Sequence, residues 1–380
     1  MGDMVKPHGS VDLVVMLGDV GPSFAEQMLG DVREAVAMDT VERGLQSPHV
    51  QRVIVGTNRP SLMRRLAGLP VQVIPDLPDV PFHFGQRLRE IVRDCHLGQV
   101  LYVGGGAGPL LTQDNLDSLA DTLAGAPDRL LTNNLYSSDM VGFAGALLER
   151  IELPNKDNDL AWRLAQLGGQ DVRQPPRSAS TAFDIDTVTD LLILKMCAGL
   201  GRHTAQVIDA LDLDTSRLRA ALAPLTDPDA TLLLAGRASS AVWRALQDYA
   251  RCTVLIIAEE RGMRASGRLS RGQVRSLMGF CIDQFGLDGF FARLAMIADA
   301  VLIDSRVLFA HLGKWPADSD RCYSDLGLPE RIEDPIIRAL TEASLKAPIP
   351  VFMGGHALMS GGILALIEAL RPQTSPRPSC

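Results

Sequence analysis

Apolar residues in this chain fall into short runs of strand length, separated by longer stretches in which apolar positions recur every three or four residues. The runs at 12–17, 52–56, 71–74, 99–103 and 130–132 predict strands, and the segments at 32–45, 84–95 and 115–123 predict helices between them. Alternation of this kind predicts a mostly parallel sheet covered on both faces. The first run ends at Gly18 in a glycine-bearing loop, and the helical pattern at 147–167 is broken by Pro154, which predicts two helices there.

From 199 to 229 the pattern is helical with no strand, and this stretch reads as a bridge. A second alternation follows, with strands at 230–235, 253–258, 300–303 and 349–353 and helices at 240–249, 273–285, 335–346 and 363–370. The expected organisation is a loose leader at 1–10, a first α/β domain at 11–198, a helical bridge at 199–229, a second Rossmann-like α/β domain at 230–370, and a disordered proline-rich tail at 371–380.

The totals narrow the class. A length of 380 residues allows two cores, and 46% hydrophobic with 22% charged residues is the composition of a folded chain. The formal charge of -8, from 37 basic and 45 acidic residues, gives no general attraction to nucleic acid or to acidic membranes. The longest apolar runs are too short to cross a bilayer and the N-terminus lacks a signal-peptide core, so the expected address is the cytoplasm. Six cysteines without a CxxC pair read as reduced thiols rather than a zinc site or disulfide frame. No heptad marks an oligomer, and a homodimer through apolar surface stays open.

The stretch 181–194, TAFDIDTVTDLLIL, carries most of the candidate chemistry. It places Asp184, Asp186 and Asp190 where an apolar strand is expected to give way to a helix, so that two carboxylates can face one ligand, as a metal-nucleotide requires. The same residues also suit a helix start, with Thr187 as N-cap and Asp190 near the positive end of the helix dipole.

Four features in order (the loop Gly18 to Phe24, the run VIVGTN at 53–58, YVGGGAGPLLTQDNL at 102–116 and FDIDTVTDL at 183–191) resemble the sugar-nucleotide and molybdopterin-type nucleotidyltransferases over residues 11–198. The resemblance implies a GT-A-like α/β fold and transfer of a nucleotidyl group with loss of pyrophosphate. It implies a nucleoside triphosphate or sugar-nucleotide partner, wrapped by Gly18 and Gly21 and approached by Gly104, Gly105 and Gly106. It further implies Mg²⁺ held by Asp184 and Asp186, the expected catalytic carboxylates, with Asp139 as a substitute third ligand. The chain departs from the family in two places. The first loop has Asp19 and no arginine or lysine before Arg33, and Ala107 stands where the family usually has a metal-binding aspartate. A non-catalytic protein that binds a nucleotide or phosphorylated metabolite is therefore the alternative, and the triple glycine can equally serve close backbone packing.

In the second half every expected strand ends in polar or glycine residues, which a parallel sheet would gather at one edge. Arg237, Arg306, Gly354, Gly355 and His356 form the expected anion site there, and Asp304, His356, Glu259 and Glu260 offer a further location for catalysis. Arg261, Arg264, Arg268, Arg271 and Arg275 recur every three or four residues, but Gly262, Gly267 and Gly272 argue for a loop. Arg264 and Arg268 would then act as a phosphate clamp, supplying from the second domain the cations absent from the first loop.

Overall fold

The computed structural model describes residues 10–76, 81–264 and 266–371. The expected leader and tail lie largely outside these residues. Two α/β sheet domains are present. The first sheet has seven strands: β1 (Val11–Leu17), β2 (Val50–Thr57), β3 (Gln72–Ile74), β4 (Gln99–Gly104), β5 (Arg129–Thr132), β6 (Met140–Ala144) and β7 (Asp171–Arg173). Their order is β3-β2-β1-β4-β6-β5-β7. β6 runs antiparallel to both of its neighbours, and the other pairings are parallel.

The second sheet has four strands, β8 (Thr231–Gly236), β9 (Thr253–Ala258), β10 (Ala300–Asp304) and β11 (Val351–Gly354), all parallel, in the order β11-β10-β8-β9. Helices Arg202–Ala210 and Ser216–Leu222 join the two sheets. No helix among the described residues is long and apolar enough to cross a membrane.

Several elements differ from the sequence expectation, each for a local reason. The first helix spans Phe24–Gln46 and starts eight residues before the expected position, because Ser23 and Glu26 form a reciprocal capping box. β6 and β7 were not expected: each is short, and β6 carries a glycine at its centre. The region expected as two helices around Pro154 is a 3₁₀ turn at Gly145–Arg150 and one helix at Leu160–Ala165. Helix Leu277–Leu294 runs on past the expected end, bending at Gly286, whose φ of 67° only glycine adopts readily.

The first sheet keeps apolar clusters of its own, and a further cluster ties helices of the first domain to one face of the second sheet. One apolar cluster joins Val32 and Val36 of the first helix, Leu191 and Ile193 of helix Val188–Leu194, Leu232 and Leu234 of β8, and Leu358 and Leu366 beyond β11. Helix Val188–Leu194 is buried along its whole length, with charged groups only at its N-terminal side, so it is held from both sides while Asp184 and Asp186 remain at its open end. The described cysteines are all free thiols.

Candidate active site in the cleft between the sheets

The segment before helix Val188–Leu194 is not the expected strand. Ala179–Ala182 make one helical turn, and Asp184 forms a single antiparallel bridge with Ala107. The bridge is closed by Ile185 N-H donating to Gly106 O at 3.0 Å and by Gly108 N-H donating to Phe183 O at 3.0 Å. The triple glycine thus serves close backbone packing: a β-carbon on Gly105 would stand 2.7 Å from Leu17, and one on Gly106 would stand 3.1 Å from Ile185 O. Ala107 is buried in that bridge and offers no ligand.

This bridge carries Asp184 and Asp186 to the upper edge of the first sheet, where Asp139 and Asp157 wait. Asp139 accepts hydrogen bonds from the side-chain amides of Asn133 and Asn158, both at 3.4 Å. Asp157 accepts one from the Tyr102 hydroxyl at 3.0 Å. Arg33, on the first helix, donates to Ile185 O at 2.6 Å and to Asp186 at 3.3 Å. Sequence reasoning missed Asp157, Tyr102 and Arg33. The polar run after Pro154 was the one available signal for Asp157, and it reads equally well as a helix break.

The four carboxylates repel one another in a partly buried setting. Burial, then the charges of Asp157 and Asp186, push the Asp139 carboxyl well above the ordinary range. Burial, then Asp186 and Asp139, do the same to Asp184, and burial leads the rise at Asp157. Asp190 is fully buried, and its carboxyl is pushed up to about 7 by burial and by Asp186. Its role is the cap: one oxygen accepts the N-H groups of Asp186 and Thr187 at 2.8 and 2.7 Å. The capping alternative therefore describes Asp190.

The first loop is closed on itself. Val20 N-H is taken by Asp19 at 2.9 Å, and Ser23 N-H by Glu26 at 3.2 Å. A β-carbon at Gly21 would collide with the Glu26 carboxylate, while Gly18 faces open space. Two of the loop's backbone donors are thus occupied by its own carboxylates.

In the second domain the expected anion site is a docking surface. Gly355 N-H donates to Thr189 Oγ1 at 3.3 Å, and β-carbons on Gly354 and Gly355 would each meet Thr189 or Thr187 at 2.7 Å. Arg237 grips Asp304 at 2.5 and 3.0 Å. Burial alone would raise the Asp304 carboxyl, but the charge and hydrogen bonds of Arg237 outweigh it and hold the group below its ordinary value. Arg306 is buried against Asp325 at 2.5 and 2.8 Å. Burial, then the charge of Arg237, lowers His356 to about 4, so the ring is neutral near pH 7, and its Nδ1 has no hydrogen-bond partner. Glu259 caps Ser276 and Leu277, and Glu260 pairs with Arg268 at 2.6 Å. Arg237, Arg306 and Arg268 are therefore spent on internal carboxylates, and Gly354 and Gly355 on packing.

Arg261 and Arg264 are the members of the arginine loop without a side-chain hydrogen bond or ion pair among the described residues, and the charge of Arg261 is felt at His356. Arg264 lies 4.9 Å over the Trp315 ring and has no ion-pair partner among the described residues. Partial burial, then the like charges of Arg237 and Arg321, lower its guanidinium, while Asp186 of the first domain acts in the opposite direction.

The trio of acidic and histidine ligand atoms that all lie within 4.8 Å of one another is Asp39, Glu42 and His203, not Asp139, Asp184 and Asp186. That trio has the spacing of a cation site. Its groups already latch the first helix to helix Arg202–Ala210: Asp39 accepts the N-H groups of His203 and Thr204 at 2.9 Å, and Arg202 donates to Glu42 at 2.6 Å.

No protein-family model matches the chain, and no curated protein matches it. Among solved structures, a cytidylyltransferase from Leptospira borgpetersenii is 18% identical, covering 53% of this chain and 93% of its own, with a TM-score of 0.39. A homologue of Mycobacterium tuberculosis rv0371c, from Mycobacterium sp. strain JC1, is 16% identical, covering 52% of this chain and 98% of its own, with a TM-score of 0.36. Likeness at this level leaves the chemistry of the cleft to its own residues.

Proposed function

We propose that the protein binds a metal-complexed nucleoside triphosphate where Asp139, Asp184 and Asp186 meet the second domain, and transfers its nucleotidyl group to a phosphorylated or hydroxyl acceptor. One observation carries this reading: Asp139, Asp157 and Asp184 share the upper edge of the first sheet with Asp186, Arg33 on Asp186 is the one cation bonded to the group among the described residues, and the charge of Asp186 reaches Arg264 of the second domain. A hard divalent cation suits that donor set, because carboxylate oxygens are its preferred ligands and the raised carboxyls gain most from a nearby positive charge. Asp184 and Asp186 would hold Mg²⁺, with Asp139 or Asp157 nearest as a further ligand. When bound, the ion would supply charge neutralisation at the phosphates.

The protein's own groups supply positioning and charge. Arg33 fixes Asp186 from the first helix, Tyr102 orients Asp157, and Asn133 and Asn158 hold Asp139. Arg264 would screen the phosphate oxygens from the far wall. An acceptor oxygen attacks the α-phosphorus, a hydroxyl acceptor releasing its proton to water, the bond from that phosphorus to the bridging oxygen of the β-phosphate breaks, and pyrophosphate leaves with the electron pair. Stabilising that charge is electrostatic work, for which no nucleophilic side chain is needed.

The closed first loop favours a second reading, a protein that binds the nucleotide or a phosphorylated metabolite without turning it over. Pyrophosphate release separates the two. Wild-type protein with each of four nucleoside triphosphates, Mg²⁺ and candidate acceptors should release pyrophosphate with one of them, and Asp186→Asn should abolish it. Magnesium-dependent binding without release would establish the second reading, and absence of any magnesium-dependent binding would refute both.

A further inference from the structure

Four strands close the edges of the two sheets, and three of them are protected. β3 and β7 have three residues each, β7 being lined by the ion pairs of Asp171 with Arg129 and Arg173, and β11 is buried throughout. Short, charged or covered edges are the usual guards against strand pairing between molecules. The fourth edge has none of these guards. β9, Thr253-Val-Leu-Ile-Ile-Ala258, has six residues, no charge and no proline, and is bonded within its sheet only to β8. Thr253, Leu255 and Ala258 are exposed, and the other three residues are half-buried.

The direction of the free donors follows from the ladder. Thr253 N-H donates to Ala230 O at 3.0 Å and Glu259 N-H donates to Gly236 O at 2.9 Å, so the odd-numbered N-H groups turn toward β8. Successive N-H groups along a strand alternate sides, so those of Val254, Ile256 and Ala258 turn outward. Beside them, Ile257 and Cys281 fringe the same apolar cluster. Leu277, whose N-H donates to Glu259 just past the strand at 2.9 Å, is 59% exposed. Uncharged backbone donors, bordered by exposed apolar side chains, call for an uncharged apolar strand.

We propose that β9 pairs antiparallel with β9 of a second copy of this chain about a two-fold axis, joining the two four-stranded sheets into one. A two-fold contact needs a surface that complements itself, and an uncharged strand with alternating outward donors and acceptors does so.

The test is sedimentation of the full chain from low to high micromolar concentration, alongside hydrogen exchange. Wild type is expected at twice the chain mass, with the amides of Val254, Ile256 and Ala258 exchanging more slowly as concentration rises. Leu255→Lys and Leu255→Glu, each with unchanged circular dichroism, should sediment at the single-chain mass, and mixing the two should restore the doubled mass through the opposite charges across the axis. A single-chain mass for wild type at every concentration overturns the proposal, as does a dimer that survives both substitutions. If either variant misfolds, amide exchange in wild type decides: outward amides that exchange independently of concentration overturn it.

Discussion

Arg33 and Asp186 are separated by 153 residues and meet at 3.3 Å, with the same guanidinium also donating to Ile185 O at 2.6 Å. The first helix therefore sets where the outermost carboxylate of the cleft points. Arg33→Met should leave the fold intact, because the side chain is partly exposed, but should free Asp186 to turn toward solvent. The expected result is a loss of about tenfold in magnesium-dependent nucleotide affinity, equivalent to about 1.4 kcal/mol. Titration calorimetry with and without Mg²⁺ measures it, and an affinity equal to wild type would show that Arg33 does not position the site.

Asp190 gives a pH prediction with a definite sign. Its carboxyl is raised to about 7 in the folded state against an ordinary value near 3.8. The folded protein thus binds the extra proton between these values, and stability from this group is lost as pH rises through about 7. Asn at this position keeps an acceptor for the N-H groups of Asp186 and Thr187 while remaining neutral at every pH. Asp190→Asn should therefore be more stable than wild type at pH 8, by up to about 4 kcal/mol, with the difference shrinking toward pH 5. Urea unfolding at the two pH values checks this, and a difference that does not change with pH would contradict it.

The alternation of apolar runs and amphipathic stretches made both sheets legible because their central strands are continuous apolar segments, and that pattern is local in sequence. β6 and β7 were not legible, because short strands beside polar turns carry no such run. The carboxylates Asp184 and Asp186 could be read from their spacing on one short segment. Asp157 and Arg33 could not, since what makes them part of the cleft is a contact across more than a hundred residues, or a loop whose only local mark is polarity. The arginine loop shows the converse limit: Arg264 and Arg268 look alike in sequence, and the nearby Glu260 decides which of them is free.

Contact between the domains rests on glycine. Thr189 is fully buried, and a β-carbon on Gly354 would lie 2.7 Å from its side chain. Gly354→Ala should destabilise by about 1–3 kcal/mol through overpacking. Thr189→Ala should make room for the added methyl, so the double variant should be more stable than the sum of the single effects allows. A cycle measured by chemical denaturation that proves additive would mean that this approach is not what limits docking.

The arginine loop separates a ligand group from a structural one. Arg268 is bound by both oxygens of Glu260 at 2.9 and 2.6 Å and donates to Gln273 O, so it anchors the loop. Arg264 rests on Trp315 without a carboxylate partner and feels Asp186 across the cleft. Removing a guanidinium that meets phosphate weakens binding and also reduces its salt dependence, whereas removing an anchor acts on the loop's order. Arg264→Ala should therefore lower nucleotide affinity by about tenfold or more with a shallower salt dependence. Arg268→Ala should chiefly increase proteolysis and hydrogen exchange within residues 259–275, with affinity reduced less. Affinity measured for both variants at low and high salt decides the assignment. Equal losses would make the loop act as a unit, and an unchanged Arg264→Ala would remove the second domain from phosphate binding.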